Sequence, residues 1–305
     1  MKKNESSLTS LISAFGRAYH SKYDTPKIFD DFMAKDLISL QEFSDIRENM
    51  IDGIHFFNQE IANKFQDHPD EILKWITQVQ LSPTPLARAA YCENVLIHEL
   101  SLGVEQYVIL GAGLDTFCFR HPELNNRIEI FEVDFPATQD FKKKRLANAN
   151  YEFPNNLHFI PMDFTKEFSI HNLVEEGFMP NKKTFFSLLG VSYYLTKEEN
   201  ANLVSKLLSN VPSGSSIVFD YADDKLFEEK GISNRVQNMV QMASASGEPM
   251  KSCFTYDEIE KMLESSGLLI YEHLSPDTIN NQFFNKRTDY LSAFETIHYI
   301  HAVKK

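Results

Sequence analysis

Apolar residues three and four positions apart run through the first hundred residues, in SLISAFGRAYH (10–20), IFDDFMAKDLISL (28–40), NMIDGIHFFNQEIANKF (49–65) and EILKWITQV (71–79). That period is helical and predicts a helical N-terminal cap over residues 1–100. Beyond it the texture changes to short apolar runs alternating with amphipathic stretches, the pattern of βαβ units on a mostly parallel sheet. Strands are expected at 106–111, 128–133, 157–162, 184–190, 215–221, 268–274 and 295–303, with helices between them. Pro136 suits the first turn of PATQDFKKKRLANAN, where its missing N–H would have no partner. The helix in KEENANLVSKLLSNVPSG should stop near Asn210, ahead of Pro212 and Gly214. FTYDEIEKMLESSGL reads as a helix stopped by Gly267, followed by a terminal antiparallel pair, LLIYEHLS and FETIHYIHAVKK. Residues 223–252 carry Met239, Met242 and Met250 among polar residues and read as a helical insertion over the ligand edge of the sheet, a substrate lid or a packing helix. The whole is expected to be one α/β domain over 1–305, with its core at 101–305.

The first strand ends in a chemically specific way. In QYVILGAGLDTFCFR (106–120) an apolar run stops at Gly111-Ala112-Gly113, and a helix-competent segment follows. Side-chain-free residues let the backbone turn tightly and let a ligand reach N–H groups at the start of a helix. The second run, RIEIFEVD (127–134), ends in Asp134, about 20 residues beyond the glycines, where nucleotide-binding α/β folds hydrogen-bond a ribose diol. Two tenants remain open, a nicotinamide dinucleotide and S-adenosylmethionine (SAM). The dinucleotide fingerprint asks for a third glycine where this chain has Thr116, so a cofactor without a pyrophosphate fits better.

Composition narrows the partners. At 305 residues, 43% hydrophobic and 24% charged, the chain is an ordinary globular protein, and its formal charge of −13 disfavours a nucleic-acid substrate. The one basic run, Lys142 to Arg145, reads as a solvated helix face. No apolar stretch reaches roughly 18 residues and the start, MKKNESSLTS, is polar, so no membrane association and a cytoplasmic location are expected. Cys92, Cys118 and Cys253 lack metal-ligand spacing, the histidines form no HxxxH pair, and no metal is expected.

Five ordered motifs, ARAAYCENVL, QYVILGAGLDTFCFRHPEL, IFEVDFPATQDFKKKRL, LHFIPMDFTKE and FFSLLGVSYYLTKE, resemble the SAM-dependent methyltransferases related to leucine carboxyl methyltransferase. The resemblance is strongest from Ala87 to Asp223 and extends to GRAYH and IFDDFMA near the N-terminus. It implies a class I methyltransferase fold, Rossmann-like, with seven strands and the last one antiparallel. It is nearest to the bacterial branch of small-molecule O-methyltransferases.

The resemblance also implies roles. Arg88 matches an arginine that holds the SAM carboxylate, with a surface ion pair as the plain alternative. Gly111, Ala112 and Gly113 match the turn under the methionine portion, Asp134 with Phe135 beside it the ribose site, and Asp163 with Phe164 the adenine site. Asp115 is a helix cap or a site residue. Where many relatives have Glu-Gly after the fourth strand, this chain has Leu189-Gly190; the acid is missing, and a backbone carbonyl near Leu188 or Leu189 is the substitute acceptor for the cofactor's amino group. Arg17 resembles a further basic contact. On the acceptor side stand Tyr194 and, more weakly, Tyr19, with Tyr193, His20 and Tyr91 of the same kind. No catalytic residue is assigned, because methyl transfer to an ionised carboxylate needs no base. The expected reaction is transfer from SAM to a carboxylate or hydroxyl of a small molecule. A protein C-terminal carboxylate, a non-catalytic SAM-binding role and a nicotinamide oxidoreductase stand as alternatives.

Overall fold

The computed structural model describes residues 7–166 and 169–305, so the first six residues of the polar start and Glu167, which closes LHFIPMDFTKE, lie outside the described residues. Seven strands form one sheet: β1 (Gln106–Leu110), β2 (Glu129–Asp134), β3 (Leu157–Pro161), β4 (Thr184–Leu188), β5 (Ser216–Ala222), β6 (Leu268–Leu274) and β7 (Ile297–Lys304). Every apolar run expected to be a strand is one, with ends displaced by at most two residues. The order is β3-β2-β1-β4-β5-β7-β6, and only β7 runs against its neighbours. β1, β4 and β5 are buried along their whole length, because helices cover both faces and an unbroken apolar run is what such a strand requires. One core packs on the Tyr107, Ile109 and Phe185 face, a second on the Val108, Leu110 and Phe186 face.

Helices Leu8–Tyr23, Leu40–Asp52, Pro69–Ile76 and Pro83–Ser101 dominate the N-terminal layer. Phe15, Trp75 and Ile76 build a third core there, which also takes in Leu114 from the β1 exit and Leu146 from helix Pro136–Asn148. The layer departs from its expected periodicity at residues 28–40, which form only a short turn at Ala34–Leu37. The cause is Asp31, turned inward at 1% exposure to accept from Arg17 Nε (2.9 Å), Thr116 Oγ1 (2.7 Å) and the Ala34 N–H (3.1 Å). Polar donors drawn from separate elements fix that stretch in place of a helical ladder. The 49–65 segment is likewise divided, Asn58 capping a separate helix at Gln59–Lys64.

Two further expectations change. The segment after the glycine bend is helical only over Phe117–Arg120, because Pro122 drives His121 out of the helical region. The bend therefore lacks a long helix dipole. The basic run is solvated only in part: Lys144 is exposed, but Lys142 is buried and reaches Glu132 of β2 at 2.5 Å, and the half-buried Arg145 pairs with Glu42 at 2.5 Å. A carboxylate buried in a strand under a helix needs such a partner.

The sheet places its ligand edge by its topology. Strand order reverses between β1 and β4, which opens a crevice beyond their carboxyl ends. The 223–252 segment forms helix Arg235–Ala245 and returns through a loop toward that crevice. Among the described residues no helix is long and apolar enough to cross a membrane.

Candidate functional site

Beyond the carboxyl ends of β1 to β4 lies a cavity of about 380 Å³, the scale of a small-molecule site. Its floor is the glycine bend. Gly111 has φ +71°, and a Cβ there would lie 2.3 Å from Val191 Cγ2, so only glycine lets the β1 exit pass this close to the β4 exit. Ala112 and Gly113 complete the bend and line the cavity.

Asp134, at the end of β2, is joined to this bend. Its Oδ2 accepts the Gly113 N–H at 2.5 Å and its Oδ1 the Phe135 N–H at 2.6 Å. Burial pushes the carboxyl up to about 6, although these two N–H groups pull it down. The Gly113 N–H thus serves the aspartate, a use the sequence reading had left to a ligand. Each carboxylate oxygen keeps a further lone pair, so a diol above it finds two acceptors. Phe135 is half-buried in the wall.

Asp163 and Phe164 follow β3 on the same cavity, and Asp163 Oδ1 accepts from the Thr165 hydroxyl (2.6 Å) and N–H (3.1 Å). Arg88, on helix Pro83–Ser101, enters from the opposite side. It is no surface ion pair. Its Nη1 donates to the Tyr193 hydroxyl (2.9 Å) and to Asp220 Oδ2 (3.2 Å). Leu189 lines the wall between. Asp115 faces the cavity while its Oδ1 accepts the Phe117 N–H at 2.7 Å, so capping and a place in the wall coexist.

The acceptor-side residues divide. Tyr194 lies in the wall, and burial raises its phenol to about 12, so it remains protonated at neutral pH and can donate a hydrogen bond. Tyr19 does not reach the cavity; it is buried against Phe15 and Tyr23 in the third core. His20 is buried on Asp24 at 2.6 Å, and Tyr91 donates to Glu272 at 2.8 Å. Arg17 lines the cavity with its guanidinium bonded to Asp31, Ser13 and the Leu114 carbonyl.

Several wall residues escaped the sequence reading. Ser7, Thr9, Ser10 and Ser13 cover one side and Gly247, Glu248, Pro249 and Lys251 the other, linked by a Ser7 Oγ to Glu248 bond of 3.1 Å. Asp220 stands behind Arg88, fully buried in β5. A signal existed for it: Asp220 is the one charged residue in SIVFDYA, and a strand buried on both faces tolerates such a residue only when it is paired. Asp31 carries no comparable mark beside Asp30.

The side chains present fit SAM. A carboxylate with spare acceptors, a guanidinium whose hydrogen bonds among the described residues use Nη1 alone, and a second carboxylate beside an aromatic ring match a ribose diol, an α-carboxylate and an adenine.

A solved structure shares this architecture, and named proteins are similar in sequence. A Streptomyces avermitilis protein of the DUF574 family superposes with a TM-score of 0.58 over 99% of each chain at 14% identity, which speaks to the fold. A Bacillus subtilis (strain 168) protein named S-adenosyl-L-methionine-dependent methyltransferase YktD is 72% identical over 305 residues, the whole of both chains. A similarly named Mycobacterium marinum protein is 24% identical over 70% of this chain and 64% of its own. The leucine carboxyl methyltransferase profile matches residues 10–208. The chain belongs to the leucine carboxyl methyltransferase family of SAM-dependent methyltransferases.

Proposed function

We propose that the protein transfers the methyl group of SAM to an oxygen, carboxylate or hydroxyl, of a small-molecule acceptor. The observation that carries this reading is that Asp134, Asp163, Arg88 and the Gly111–Gly113 bend border one cavity, with Asp134 bonded to the bend itself. Asp134 receives the ribose hydroxyls, Asp163 and Phe164 the adenine, and Arg88 the α-carboxylate. When bound, SAM supplies an electrophilic methyl on a sulfonium, and transfer is an in-line displacement. The chain's part is to position and to exclude water. The cover made by residues 7–13 and 247–251 serves the second task, its two sides joined by the Ser7–Glu248 bond. Tyr194 donates a hydrogen bond to the acceptor oxygen. An acceptor carboxylate is already ionised, consistent with a wall tyrosine that stays protonated.

Calorimetry with SAM, followed by SAH-release assays over a panel of small acids and phenols, tests the reading. Sub-millimolar SAM binding that Asp134→Ala abolishes, with turnover on at least one oxygen acceptor, is the expected result. No binding, or binding indifferent to Asp134→Ala, refutes it. Leu189 in place of an acid supports a second reading, a SAM-binding protein without turnover, and binding with no release of SAH on any acceptor would favour it.

A further inference from the structure

Arg88 is held from behind by a fully buried carboxylate that does not border the cavity. Asp220 is 0% exposed and Arg88 15%. Asp220 Oδ1 accepts the Gly190 N–H at 2.6 Å, and its Oδ2 accepts Arg88 Nη1 at 3.2 Å and the Tyr193 hydroxyl at 3.4 Å. Tyr193 closes the triangle by accepting from the same Nη1 at 2.9 Å. Burial and the adjacent Asp220 keep that phenol protonated, so it accepts from the arginine and donates to the aspartate at once. The guanidinium lies directly over Gly190, where a Cβ would come within 2.5 Å of both terminal nitrogens. One nitrogen is therefore tied down. Among the described residues no hydrogen bond engages Nε or Nη2, the edge from which a guanidinium grips a carboxylate with two parallel bonds.

We propose that Asp220, acting through Arg88, sets the preference of this site for a nucleoside bearing an α-amino acid over the same nucleoside without one. This rests on the reading of Arg88 as the carboxylate anchor. Asp220 is a positioning residue: it fixes the plane of a long side chain that would otherwise sample many rotamers. With asparagine at 220, the amide oxygen can serve Gly190 or Arg88 but not both, and its NH₂ then opposes the other donor. Asp220 also repels a bound carboxylate, and that effect acts in the opposite direction, so the sign of the change is diagnostic.

The test compares calorimetric affinities for S-adenosylhomocysteine (SAH), which has the amino acid, and 5′-methylthioadenosine (MTA), which lacks it. The wild type prefers SAH, and Arg88→Ala removes the preference. Asp220→Asn lowers the SAH-to-MTA ratio about tenfold, the equivalent of one well-oriented charged hydrogen bond, while MTA binding is unchanged. A purely structural role would weaken both ligands together. If Arg88→Ala removes the preference but Asp220→Asn preserves or raises it, the positioning role is overturned and the anchor stands. A wild type without preference, or an Arg88→Ala variant that keeps it, overturns the anchor and the proposal with it. Should Asp220→Asn lose MTA binding through misfolding, Tyr193→Phe decides on the same ratio, since it removes one partner of Arg88 and no charge: a severalfold fall supports the proposal, and no change overturns it.

Discussion

Asp134 joins the bend, the proposed ribose contact and a titration in one side chain. Burial lifts its carboxyl to about 6 in the free protein. A ribose diol donates to the ionised form, so the bound state holds the proton less tightly than the free state, and binding below that value releases it. Affinity for SAH should be level above pH 7 and should fall as pH drops through 6, approaching a tenfold loss per unit. Calorimetry at pH 7.5 and pH 5 measures this, with Asp134→Asn as the variant that loses affinity at both values and the slope between them. Tighter binding at pH 5 would contradict the ribose assignment. The place of Asp134 beside the bend was legible because it ends an apolar run at a set distance from two glycines, a purely local signal. Arg88 was reached through family resemblance; Asp220 is marked as the one charge in a buried strand, but its pairing with Arg88 is not, because the two lie 132 positions apart, in elements whose adjacency only the fold decides. Tyr19 failed for a related reason: a tyrosine on a helix looks the same from the sequence whether its ring meets a ligand or Phe15.

Elements were readable where local chemistry closes them. Thr196 with Glu199 and Thr255 with Glu258 form reciprocal caps that start helices Lys197–Ser209 and Tyr256–Ser265, and Pro136 opens helix Pro136–Asn148. Residues 28–40 were misread because their apolar spacing is helical while Asp31 is claimed by Arg17 and Thr116, partners that spacing does not reveal. Helix Arg235–Ala245 is held by a similar long-range claim at its first residue. Arg235 is 1% exposed, pairs with Glu295 at 3.0 Å, and donates to the carbonyls of Val79, Ser292 and Ala293. Replacing it with methionine leaves those acceptors buried without their donor, and should cost about 3 kcal/mol in urea unfolding. SAH affinity should nevertheless survive, because the cavity loop has its own attachment, the Lys251 and Ser252 N–H groups on the Tyr193 carbonyl at 2.7 and 3.3 Å. An equal loss of affinity and stability in Arg235→Met would show that helix and loop move as one.

At the scale of the whole molecule, the change from a helical to a strand-and-helix period revealed two layers, but not that the first helps to enclose the site. The N-cap Ser7 with Ser10 and Ser13 reads as a solvated face, because three small polar side chains give no local sign that they border a cavity. The two layers are tied at several points: the Arg17 guanidinium on the Leu114 carbonyl at 2.6 Å, Thr116 on Asp31, the Ser7 N–H on Thr138 at 3.4 Å, and Leu114 and Leu146 inside the third core. Each tie ends close to the glycine bend or to the helix after Asp134, so the layer should not unfold while the cofactor site stays formed. The chain's single tryptophan makes this measurable, because Trp75 lies in that layer at 4% exposure. Its fluorescence follows the N-terminal cap, whereas far-ultraviolet dichroism averages over the whole chain. Urea midpoints from the two signals should coincide in the free protein. SAH at about 100 times its dissociation constant should raise the unfolding free energy from both signals by about 2.7 kcal/mol and shift both midpoints upward, because a ligand that binds only the folded form stabilises every part that unfolds with its site. A tryptophan midpoint below the dichroism midpoint, and unmoved by SAH, would make the cap an independently melting layer and leave residues 7–13 without a share in the site.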